Sequence, residues 1–81
     1  MKTNTSIEEN HLIEHRCRIA NQLKEFREKK GYSQEQLAEK MEISRTTISK
    51  IESGKFNFSI DYLSKFSFVL DFDLVLLENP E

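Results

Sequence analysis

The sequence predicts a small all-α domain of four helices that ends in a single β-strand. Three observations carry this reading. Only two glycines and one proline occur in 81 residues, so little chain is left for irregular connections. Four runs place apolar residues three and four apart, the spacing of one helix face, and each opens on a serine suited to capping: Ser6, Ser33, Ser44 and Ser59. After Leu70 the helical period gives way to alternation.

The first helix is expected from Ser6 to Lys30. Residues 1–5 read as a disordered N-terminus, and Ser6-Ile7-Glu8-Glu9 reads as a capping box, in which the glutamate reaches back to the serine. Leu12/Ile13, Cys17, Ala20, Leu23 and Phe26 form the apolar face, with Ile19 beside it. The basic end, Arg27 to Lys30, suits the negative end of the helix dipole, and Gly31 stops the helix. The second helix starts at the cap Ser33 and turns Leu37, Ala38 and Met41 inward. The third starts at Ser44, buries Ile48 and Ile51, and stops at Gly54. "KFNF" is a loop. The fourth runs from Ile60 to about Leu70, with Leu63, Phe66 and Val69/Leu70 inward.

In "DFDLVLLEN", Phe72, Leu74 and Leu76 alternate with Asp73, Val75 and Leu77, which is a strand pattern, and Pro80 ends it. A lone apolar strand has no ladder partner in its own chain. The economical solution pairs it with the same strand of a second copy across a two-fold axis. The expected organisation is therefore a helical domain over 6–71, with residues 72–78 as a dimerisation strand.

An 81-residue chain holds one domain with a modest core. No apolar run approaches the ~18 residues of a membrane span, and no signal-peptide pattern is present, so a cytoplasmic protein is expected. The lone Cys17 cannot form an intrachain disulfide and reads as a small core residue. The net charge is −2, but it is unevenly spread. Arg16 to Lys55 carries ten basic and six acidic residues, a balance of +4, which leaves −6 for the chain ends. Binding to a polyanion depends on one face rather than on the total.

Residues 33–54 carry the functional signal. Two short helices follow each other with almost no connection. Ala38 is small where they cross, and Ile43, Ile48 and Ile51 pin the second against the core. That leaves Arg45, Thr46, Ser49 and Lys50 on the outer face, all able to hydrogen-bond. A DNA-reading helix needs this division: apolar behind, donors and acceptors ahead.

"SQEQLAEKMEISRTTISKIESGK" resembles the helix-turn-helix of the Cro/C1 repressor family, also called the XRE family, and the likeness extends from about Arg16 to Phe72. The resemblance implies a lambda-repressor-like four-helix DNA-binding domain. It implies that Ser44, Arg45, Thr46, Ser49 and Lys50 face base edges in the major groove, with arginine the bidentate partner for guanine. Gln34, Thr47, Ser53, Lys55 and Asn57 would contact phosphates, which position without specifying. Gln34 would also brace the first residues of the reading helix, and Arg27 and Glu52 would form a structural ion pair. Phe72, Leu74, Val75, Leu76 and Leu77 take the place of the family's fifth helix as a dimer strand. Glu42 stands where the family has glycine in the turn, Asp71 where it has glycine after the fourth helix, and Phe56 and Phe58 replace polar residues or proline in the loop.

The function expected is a sequence-specific transcriptional regulator, a repressor by preference, of bacterial or phage type, which binds a palindromic operator in double-stranded DNA as a homodimer. Two alternatives stand beside it. One is an antitoxin that neutralises a toxin partner and represses its own promoter, with the acidic chain ends meeting a basic protein. The other is a protein-interaction module that does not use DNA, for which Phe56 and Phe58 are the candidate contacts. "HLIEH" places His11 and His15 on one helix face at a spacing that can bind zinc, but it reads as a solvated flank. No nucleophile is placed with a histidine base and no glycine-rich phosphate loop occurs. The expectation is no enzyme, cofactor, metal, membrane or small-molecule substrate.

Overall fold

The computed structural model describes residues 4–80, with side chains from Glu8 onward. Four helices follow in order: α1 (Asn4–Lys29), α2 (Gln34–Met41), α3 (Arg45–Glu52) and α4 (Ile60–Leu70). Each of the last three begins on its expected serine. Ser33, Ser44 and Ser59 have extended backbones, and their side chains accept from the N–H groups of Gln36, Thr47 and Tyr62. Ser33 and Gln36 complete a capping box, with the glutamine amide oxygen accepting from the Ser33 N–H at 2.9 Å.

The start of α1 differs from expectation. The helix is already running at Asn4, so Ser6 lies within it and does not cap it. Of the five residues expected to be disordered, Asn4 and Thr5 are helical, and residues 1–3 lie outside the described chain.

The core is formed by Leu23 of α1, Leu37, Ala38 and Met41 of α2, Ile48 and Ile51 of α3, and Phe66 and Leu70 of α4. Leu63 and Val69 are half-buried against it. Phe56 and Phe58 also pack on it, so the loop aromatics line the body rather than offering a contact surface. Upstream of Cys17, which the backbone at Gly54 approaches, the side chains of α1 from Glu8 to His15 are all exposed. Leu12 is 57% and Ile13 51% exposed, and Cys17 is exposed rather than a core residue. The apolar spacing names the face a helix would bury, but the body ends beneath Ile19 and Ala20, and the helix continues past it.

The strand expected over 72–78 is absent: there is no strand among the described residues, and residues 72–80 belong to no helix. Phe72 is tied down. Its N–H donates to the Ser67 carbonyl at 3.2 Å, its carbonyl accepts from the Ser67 hydroxyl, and its ring stacks on Phe26 at 5.1 Å. Beyond it Val75, Leu76 and Leu77 are 70%, 100% and 87% exposed. The physical reason is that alternation describes a conformation, whereas a strand exists only when a second backbone completes the ladder. Among the described residues no helix is long and apolar enough to cross a membrane.

Candidate nucleic-acid interface

The tight connection between α2 and α3 depends on Glu42. It adopts φ 58° and ψ 42°, the left-handed region, and ends α2. Its N–H donates to Ala38 and Glu39, and the Ile43 N–H reaches back to the Ala38 carbonyl at 3.0 Å. This is a Schellman closure, which satisfies the orphan carbonyls and turns Ile43 into the core. Ser44 then caps α3 immediately. A glutamate thus holds the left-handed position of the turn, where the resembled family has glycine.

α3 presents two unlike faces. Ile48, Ile51 and Glu52 are buried. Ser44, Arg45, Thr46, Ser49 and Lys50 are all exposed on the opposite side, together with Ser53 and Lys55 beyond the helix. Thr47 is half-buried. Its N–H donates to the Ser44 Oγ at 3.1 Å, and the two hydroxyls lie 2.8 Å apart, so Ser44 is engaged as a cap. Ser53 is also engaged locally: its hydroxyl donates to the Lys50 carbonyl at 2.6 Å and accepts from the Lys55 N–H at 3.2 Å. Among the side chains aimed outward, Arg45, Thr46, Ser49 and Lys50 carry no such local tie among the described contacts. Asn57 is exposed in the following loop.

The only acid of α3 is turned away from this face. Glu52 receives the Arg27 guanidinium twice, from Nε at 2.7 Å and from NH2 at 3.1 Å. The side chains are 9% and 3% exposed. The hydrogen bond to Glu52 raises the Arg27 pKa above its usual value, against the opposing effect of burial. The third guanidinium nitrogen donates to the Tyr32 carbonyl at 2.7 Å, which fastens the loop between α1 and α2. Nothing in the sequence marked that last contact, because its acceptor is backbone. The outer face of α3 is thus left with Arg45 and Lys50 as its only charges.

Gln34 differs in part from expectation. Its side-chain amide donates to Glu52 Oε1 at 3.0 Å, at the end of α3 rather than at its first residues. It braces α3 through the buried pair. The other contact absent from the sequence reading is at Gly54, which has φ 79°. A Cβ there would lie 3.0 Å from Cys17 Sγ and 3.2 Å from its Cα. The glycine therefore serves twice, as a left-handed stop for α3 and as the point where its loop touches α1.

A family model described as helix-turn-helix matches residues 23–77, about two-thirds of the chain and all of α2, α3 and α4. The chain belongs to the helix-turn-helix family. Its resemblance to the XRE type stands on the same span. Two relatives are described as the HTH-type transcriptional regulator SinR. The one from Bacillus licheniformis is 40% identical over 64 residues, covering 78% of this chain and 58% of the relative. The one from Bacillus subtilis (strain 168) is 43% identical over 54 residues, covering 65% and 49%. This helix-turn-helix chain spans about half the length of the curated relatives it matches. Residues 4–22, which include the whole overhang of α1, lie outside the family match.

Proposed function

We propose that this protein binds double-stranded DNA in a sequence-specific manner and regulates transcription, as a repressor by preference, with α3 as the reading helix. One observation carries the reading: α3 directs its single acid into a buried ion pair and leaves an outward face of Arg45, Thr46, Ser49 and Lys50. Arg45 and Lys50 read base edges with Thr46 and Ser49, and Ser44 contributes from the cap. Lys55, Asn57, Thr47, Ser53 and Gln34 meet phosphates around them. The relatives' description as transcriptional regulators supports this assignment.

The protein acts as a homodimer on a palindromic operator, with half-sites about one helical turn apart, roughly 34–36 Å. Support for the dimer comes from the tail, where Leu74 to Leu77 are exposed and unpaired within the chain. Pairing of residues 72–78 with the same segment of a second copy completes the ladder that one chain lacks. The same tail favours a second reading. From Asp71 onward the sequence bears Asp71, Asp73, Glu78 and Glu81 and no base, so a basic protein, such as the toxin of a toxin–antitoxin pair, is the alternative occupant.

Mobility shift with short duplexes at two salt concentrations tests the first reading. Binding should be strongest at about 50 mM salt and fall steeply by about 200 mM, because phosphate contacts release counterions. Arg45→Ala should relax preference at one base position and cost about 1–3 kcal/mol on the preferred sequence. Lys55→Ala should weaken all sequences alike. No shift at the lower salt contradicts the proposal.

A further inference from the structure

α1 is longer than the domain it serves. The family match starts at Leu23 and the packed face at Ile19 and Ala20, yet the helix begins at Asn4. Every side chain from Glu8 to His15 is exposed. A helical segment with no packed face has only its own propensity to hold it, and segments shorter than about 12–15 residues are marginal in water on those terms. On this overhang His11 and His15 stand one turn apart. Their ring centroids lie 4.1 Å from each other, with the planes inclined at 45°. Two imidazoles this close place two potential nitrogen donors side by side on one face of the helix.

We infer that His11 and His15 form a chelate for a borderline divalent transition metal of the Ni²⁺, Cu²⁺ or Zn²⁺ class. Neutral imidazole suits these ions, whereas Mg²⁺ and Ca²⁺ prefer oxygen. Among the described residues no three His, Cys, Asp or Glu side chains converge. The chain therefore fills two coordination positions and leaves the others to water. Glu8, Glu9 and Glu14 set three acids around the pair and Arg16 and Arg18 two bases, so the charges along this stretch of helix nearly cancel. Both donors reach one ion only while the turn between them is helical. Metal binding and helix formation in the overhang are then one coupled equilibrium, and the metal stabilises the overhang without touching the core.

The test uses the full 81-residue chain titrated with NiCl₂, with binding followed by calorimetry and helix content by far-ultraviolet circular dichroism. The expected result is saturable binding of one Ni²⁺ per chain with a rise in helical signal. His11→Gln and His15→Gln should each lose that binding and that rise. Their thermal midpoints in metal-free buffer should match the parent's, because both rings are exposed. MgCl₂ should produce no change. Absence of saturable Ni²⁺ binding, one ion per two chains, or undiminished binding by the His11→Gln/His15→Gln double variant would each overturn the inference.

Discussion

Among the described residues, Glu42 and Asp71 are the two other than glycine with positive φ, at 58° and 61°. An L-residue with a Cβ in this region costs roughly 1–2 kcal/mol, while glycine gives back part of that through the entropy of its unfolded chain. Glu42→Gly should therefore stabilise the protein by about 0.5–1 kcal/mol in urea unfolding. Asp71→Gly should gain less, since aspartate tolerates this conformation better than glutamate. An equal or reversed order would show that local strain does not govern these sites. The Arg27–Glu52 pair behaves differently. Glu52→Gln leaves a buried guanidinium without its counter-charge and should cost about 3–5 kcal/mol, while Arg27→Met with Glu52→Leu should recover most of the loss. The raised Arg27 pKa adds no pH dependence near neutrality. A raised pKa gives stability that is fully in place around neutrality and is lost with rising pH only as arginine deprotonates, in strong alkali. The pairing was legible through the resemblance. Its attachment to the Tyr32 carbonyl and to Gln34 was not, because a backbone acceptor and a generic amide leave no signature in the sequence.

Among the elements, α1, α2 and α4 share one way of ending. Gly31, Glu42 and Asp71 are left-handed, and the next residue in each case donates back across the turn: Tyr32 to Arg27, Ile43 to Ala38 and Phe72 to Ser67. Each following side chain, Tyr32, Ile43 or Phe72, packs against the core. The helix starts at Ser33, Ser44 and Ser59 were legible because capping is local chemistry. The start of α1 was not, since Ser6 offers a cap that an unbroken helix does not need. The tail's alternation was legible too, but a single chain holds no ladder partner to turn it into a strand. Residues beyond Phe72 contribute nothing to the described core. Deleting residues 73–81 should leave the helical circular dichroism and unfolding midpoint close to the parent's. A collapse of either would show that the tail supports the helices.

At the scale of the whole molecule, the +4 balance of Arg16–Lys55 and the −6 of the remainder separate a basic central region from acidic ends. The net charge of −2 therefore describes neither surface. Phe68, Val75, Leu76 and Leu77 are large apolar side chains that a single copy leaves in water. A two-stranded ribbon is marginal by itself, so pairing must also bury side chains such as Phe68 against helices. Light scattering at tens of micromolar should report twice the mass of one chain, and the 73–81 deletion should report one. A monomeric parent chain would remove the dimer and with it the reason for a palindromic site. The role of α3 as a reader of DNA is tested most directly by selection of bound duplexes from a random library. It predicts enrichment of one motif made of two inverted half-sites, with centres about 10–10.5 base pairs apart, and loss of preference at one position per half-site for Arg45→Ala. A library that remains unenriched at about 50 mM salt, where phosphate contacts are strongest, would contradict it.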